Sequence, residues 1–179
     1  MTGTLLVITG PPGAGKSSVA RVIADTTDHS VLVEGDAFFG FLANGAIPPW
    51  LPESNEQNEI VTKAAASAAG RFVDGGYSTI YDGVLGPWFL PTFAHATGLE
   101  RLDYVILLPP VETCMERVRT RTDHGFSDEA ATRRMHAQFV APAMPDRHVI
   151  HEAGHTIGSL AKTITDSVRR GDLAYKPLQ

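Results

Sequence analysis

The sequence predicts a three-layer α/β fold, a parallel sheet with helices on both faces. Three observations point there. Short Val/Ile/Leu runs without polar alternation recur from one end of the chain to the other, as strands buried on both faces require. The segments between them are long enough for crossover helices and carry helical spacing. A phosphate-loop motif occupies the first strand-to-helix junction.

Taken in order, the strand runs are "TLLVIT", "SVLVEGD", "YSTIYDG", "LDYVILLPP" and, more weakly, "RHVIHEA". Five strands in an α/β three-layer arrangement follow. Helices are predicted over 15–26, 54–74, 87–96, 111–120, 127–141 and 155–170, with Ser127 as an N-cap and Asp128 and Glu129 in the turn after it. "NGAIPPWLPES" and "RTDHGFS" read as mobile loops, being rich in Pro and Gly or in charge. A chain of 179 residues suits one domain better than two, so 1–179 is read as a single unit with a lid at about 120–135.

The composition, 43% hydrophobic and 20% charged, is that of a soluble globular protein. A formal charge of -5 supplies no broad positive field for nucleic acid or anionic lipid. No run approaches the ~20 apolar residues of a membrane span. The expectation is a cytoplasmic monomer or homodimer, with no nucleic-acid or membrane partner, that takes a small molecule. The single Cys114 reads as a buried structural thiol.

"GPPGAGKSS" places Gly10, Gly15, Lys16 and Ser17 at G-x-x-x-x-G-K-[ST] spacing. The context supports it, because the motif follows a strand and opens a helix. Gly10, Pro11, Pro12, Gly13, Ala14, Gly15, Lys16, Ser17 and Ser18 are therefore the candidate nucleotide-binding residues, with loop N–H groups cradling phosphate oxygens. Lys16 would neutralise the β/γ-phosphates and Ser17 would ligate Mg²⁺. Asp36 and Asp82 follow strand runs, which puts both at the carboxyl edge of the sheet where open α/β folds bind ligands. Asp36 is assigned as general base and Asp82 as metal-side carboxylate, with Glu34 the rival base. Arg117, Arg119 and Arg121, then Arg133 and Arg134, flank the "RTDHGF" loop and suit a closing lid. The reading places Arg121 with Arg133 or Arg134 on phosphate and Arg117 on adenine.

A competing signature, His151-Glu152-Ala153-Gly154-His155, has the H-E-x-x-H form of a zinc site. It needs both histidines on one helix, whereas His151 closes the last strand run and Gly154 falls where the chain must turn. The zinc reading is set aside.

The stretches "VITGPPGAGKSSVAR", "VEGDAFF" and "TIYDGVLG" resemble the nucleoside-kinase-like P-loop kinases, and within them the chloramphenicol phosphotransferase-like and gluconate-kinase-like proteins. The resemblance implies a P-loop NTPase fold with sheet order 2-3-1-4-5, ATP and Mg²⁺, and a hydroxylated acceptor between the second strand and the lid. It also implies that Asp36 is the base and that Ala153 and Gly154 border the adenine. Between Val22 and Gly70 the only Lys or Arg is Lys63, which disfavours an anionic acceptor. Phe38, Phe39, Phe41, Trp50 and Trp88 are candidates for an apolar pocket. The expected activity is ATP-dependent phosphoryl transfer to a hydroxyl of a neutral or cationic small molecule, an antibiotic or sugar-like metabolite. The alternative is a resistance or regulatory protein that binds nucleotide and sequesters a ligand without transfer.

Overall fold

The computed structural model describes residues 3–120, 128–142, 144–151 and 155–177. Five parallel strands, β1 (Thr4–Thr9), β2 (Ser30–Glu34), β3 (Ser78–Asp82), β4 (Leu102–Leu107) and β5 (Val149–Ile150), lie in the order β2-β3-β1-β4-β5. A sixth, β6 (Ala174–Tyr175), pairs antiparallel with β4. The helices are α1 (Lys16–Asp25), α2 (Asn55–Asp74), α3 (Leu90–Thr97), α4 (Val111–Thr120), α5 (Glu129–Val140) and α6 (Ile157–Arg170).

The apolar runs of the strands feed two cores. Leu5 and Val7 of β1 point to one face and pack with Ala65, Ala69 and Val73 of α2 and Phe93 of α3. Leu6 and Ile8 point to the other, against Val19, Ala20 and Ile23 of α1 and Leu160 and Ile164 of α6. Side chains alternate across a strand, so a strand covered on both faces must be apolar at every position. Register carries the strand ends to a common edge. Ile8 of β1 lies opposite Asp82 of β3, and Asp82 opposite Glu34 of β2.

Three local details differ from the sequence reading. The α5 N-cap is Asp128, whose carboxylate accepts from the Ala131 amide at 2.8 Å, so the helix starts one residue later than a Ser127 cap implies. Helix α3 begins at Leu90 because Gly86 first receives turn bonds from Phe89 and Leu90. β6 was not expected. It covers Leu102 and Asp103 of β4, while β5 covers Ile106 and Leu107, so two very short strands share one edge of β4. No described helix is long and apolar enough to cross a membrane.

Beneath that edge His148 is 2% exposed and donates Nδ1–H to the Tyr104 carbonyl at 2.9 Å. Burial holds its pKa below the ordinary value; the backbone bond and Asp103 oppose that, and Arg147 adds to it. Asp103, bonded to Arg101 at 3.2 Å, is shifted upward by its own burial. A histidine kept neutral by the fold binds protons better once unfolded, so its contribution is present above about pH 6.5 and is lost as pH falls below that value. Protonation of Asp103 has the opposite sign and acts at lower pH. The thermal midpoint should therefore fall between pH 7.5 and 5.5, and His148→Gln, which can still donate to Tyr104, should flatten that slope. Calorimetry across the range checks it.

Candidate functional site

The loop between β1 and α1 presses tightly on its neighbours. Gly13 has φ +79°, and a Cβ there would lie 2.3 Å from the Cys114 carbonyl of α4. Only glycine admits both that conformation and that approach. Cys114 is fully buried at this contact, as expected. Gly15 caps α1 in the left-handed region, and no side chain caps the helix or places acidic charge in its first turn. An N-terminus of this kind is chemically suited to an anion. Lys16 is buried and donates from Nζ to the Pro11 carbonyl at 3.2 Å.

Asp82 is 7% exposed at the end of β3. Burial raises its pKa most strongly. The Lys16 charge and the Ser17 hydroxyl draw it back down, while Asp36 and Glu34 push it up. Its Oδ1 is buried without a hydrogen-bond partner. Asp36 stands exposed in the 3-10 turn Gly35–Phe41 that follows β2, on the wall of the main cleft. Glu34 is held elsewhere: Arg21 binds its Oε1 at 2.7 Å, and Glu34 does not line the cleft.

That cleft has a volume of about 1060 Å³ and runs from Lys16 and Ser17 past Asp36. Phe39, Trp50, Trp88 and Phe89 supply aromatic wall, Asn55, Asn58 and Thr62 of α2 supply neutral polar groups, and Arg134 and Gln138 come from α5. Of the aromatics expected there, Phe38 instead packs against the core and meets Phe41 edge-on, and Phe41 is 76% exposed. The segment expected to be a mobile loop is tied down at 47–54 by α2 side chains, among them Gln57 and Asn58. A smaller cleft of about 290 Å³ lies behind the P-loop, lined by Gly15, Ser18, Arg117, Thr120, Ile157 and Leu160 among others.

The arginines separate. Arg117 donates to the carbonyls of Gly13 and Ala14 at 3.3 and 3.5 Å, which puts it beside the P-loop and in the smaller cleft. Arg119 pairs with Glu116 on the surface of α4. Arg133 turns to the Met115 sulfur at 3.3 Å and does not line the main cleft; Arg134, one residue on, does. Arg121, most of the expected lid, and Ala153 and Gly154 lie outside the described residues. Helix α6 starts at Ile157, beyond both histidines of the zinc-like string, so the two do not share it. Among the described residues no group of three or more His, Cys, Asp or Glu is placed to hold a metal.

Sequence reasoning missed Asn55, Asn58, Thr62, Tyr81 and Gln138 on the cleft wall. The α2 set is spaced by three and four residues, a helical face, but a polar face beside an apolar one is the ordinary pattern of any surface helix. Tyr81 is the reverse case, a core-like strand residue that also reaches the cleft.

The model of a family described as an AAA domain matches residues 5–142, so the chain belongs to that family. No curated protein matches it. Among solved structures it is similar to a tunicamycin resistance protein of Deinococcus radiodurans, with TM-score 0.70 and 16% identity over 93% of this chain and 95% of that one. It is also similar to a sugar kinase of Janibacter sp. HTCC2649, with TM-score 0.71 and 20% identity over 93% and 95%. A gluconokinase of Sinorhizobium meliloti 1021 gives TM-score 0.64 and 18% identity over 94% and 93%. At these identities the likeness establishes the P-loop NTPase-like fold.

The Gly13 contact yields a stability prediction. Gly13→Ala forces an alanine into the left-handed region against α4 backbone and should cost about 1–3 kcal/mol. Denaturant unfolding of the variant beside the parent measures it.

Proposed function

We propose that the chain is an ATP-dependent phosphotransferase that moves the γ-phosphoryl group to a hydroxyl of a neutral small molecule. The observation that carries this reading is that the P-loop lysine and serine, and the carboxylate Asp36, open into one cleft whose remaining wall is aromatic and amide-bearing. A sheet edge with phosphate-binding amides at one end and a solvated carboxylate at the other is what hydroxyl-to-phosphoryl transfer requires.

The roles follow from position. P-loop amides and Lys16 hold the phosphates. Asp36 accepts the proton of the acceptor hydroxyl as that oxygen bonds to phosphorus and the bond to the β-phosphate oxygen breaks, releasing ADP. It is preferred to Glu34, which Arg21 engages. Arg134 balances charge from the α5 side. The nucleotide base is assigned to the smaller cleft beside Arg117.

The all-oxygen donors Ser17 and Asp82, with the orphaned Asp82 Oδ1, fit Mg²⁺, which favours few protein ligands and retains water and phosphate oxygens. When bound, the ion would neutralise charge on the transferring phosphoryl group.

The acceptor class follows from the lining. Apart from Lys16, Arg134 is the one Lys or Arg among the described residues of the cleft. Anionic acceptors need paired guanidinium or ammonium groups, so a neutral molecule with apolar surface fits better.

Asp36→Asn should reduce phosphoryl transfer by about 10²–10⁴-fold while leaving nucleotide affinity within about twofold. Coupled ADP release and a nucleotide-binding titration measure the two quantities. Unaltered biological function in the variant would instead mark a protein that sequesters its ligand without transfer.

A further inference from the structure

Residues 47–54 form a strap containing Pro48, Pro49 and Pro52, and its residues from Pro49 to Pro52 line the wall of the main cleft. Two adjacent amide side chains of α2 hold it. Gln57 makes a reciprocal pair with Ile47, accepting the Ile47 N–H at Oε1 (2.8 Å) and donating from Nε2 to the Ile47 carbonyl (2.7 Å). Asn58 donates from Nδ2 to the Pro49 carbonyl at 2.8 Å and to the Ser54 hydroxyl at 2.9 Å. The Ser54 hydroxyl, fully buried, lies within donating reach of the Pro49 and Leu51 carbonyls at 3.0 and 2.7 Å. Backbone bonds from Leu51 to Pro48 and from Ser54 to Leu51 tighten the same turn.

Trp50 sits between these anchors, 37% exposed and on the cleft wall. Three prolines already restrict the backbone, and the amide bonds remove most of what freedom is left. A loop with this composition would otherwise be mobile, and an unanchored indole would sample the cleft and the solvent alike. Gln57 and Ile47 do not themselves line the cleft. Any effect of Gln57 on a bound molecule must pass through the strap.

We propose that Gln57 and Asn58 are the positioning residues of the acceptor site: they fix residues 47–54 as a preformed wall, and the fixed Trp50 selects the acceptor by shape. The proposal rests on the reading that the main cleft takes the acceptor. None of the wall's anchors belongs to the P-loop. Loosening it should weaken acceptor recognition and leave phosphate chemistry intact.

The chain has two tryptophans, Trp50 and Trp88, so 5-fluorotryptophan labelling gives two ¹⁹F resonances, assigned with Trp50→Phe. Gln57→Ala should shift and sharpen the Trp50 resonance while that of Trp88 stays in place, which also reports an intact fold. Gln57→Glu keeps the bond from the Ile47 amide, loses the one to its carbonyl, and should fall between. A second arm uses ATP with benzyl alcohol, cyclohexanol, glucose and glycerol as probes. For any probe phosphorylated, Gln57→Ala should raise its KM about 10-fold, matching the loss of two neutral hydrogen bonds, with kcat and the KM for ATP within about twofold. An unmoved Trp50 resonance, or a fall in kcat at constant acceptor KM, overturns the clamp. If the parent protein phosphorylates none of the probes while the Trp50 resonance responds as expected, the clamp stands and the reading of the cleft as an acceptor site is what loses support.

Discussion

The contact between the P-loop backbone and α4 is the constraint on which the site depends. Gly13 lies so close to the Cys114 carbonyl that no side chain fits, and Arg117, one turn further along α4, bonds to the carbonyls of Gly13 and Ala14. Those bonds engage loop carbonyls, and the start of α1 carries no side-chain cap. The same α4 precedes the segment expected to close over the site. The helix that packs on the P-loop therefore also carries the chain to Thr120, where that expected segment begins.

Electrostatics at the sheet edge follow from register. Parallel pairing puts Glu34 beside Asp82, and the turn after β2 adds Asp36, so three carboxylates crowd the end of two strands. Their repulsion would be unfavourable without compensation, and the compensation is distributed. Arg21 takes Glu34, Lys16 and Ser17 act on Asp82, and Asp36 stays in solvent. On the proposed function, the buried member with an unpartnered oxygen would suit a cation and the solvated member would handle a proton, two roles that follow from unlike environments.

The parallel sheet and all six helices were legible because their signals are local and repeated: continuous apolar strands, helical spacing, and a motif at a strand-to-helix junction; the strand order was implied only by the family resemblance. What escaped depends on contacts distant in sequence. β6 is two residues long and exists because β4 has an open edge near Asp103. The strap at 47–54 read as mobile because composition reports Pro and Gly but not Gln57 reaching back ten residues to Ile47. Arg133 and Arg134 are neighbours of equal chemistry, and the rotation of α5 alone sends one to Met115 and the other to the cleft. Glu34 is engaged by an ion pair with Arg21, thirteen residues upstream, which its own strand does not announce.

The two halves of the site are built from different parts of the chain, and that separation has a functional consequence. The groups proposed to handle phosphate sit on the loop after β1, on α1, at the end of β3 and on the turn after β2, where Gly10, Gly13 and Gly35 meet neighbours closer than a side chain allows. The outer wall is carried by the strap, by one face of α2 and by α5, and the strap is held through side-chain bonds that single substitutions can rewrite. Changes there alter cleft shape without moving the sheet edge, because the strap's anchors end on α2 and not on the P-loop. On the proposed function, a fold of this kind could keep one reaction and vary its acceptor. Substitutions along 47–58 would be expected to change which molecule is held before they change what is done to it.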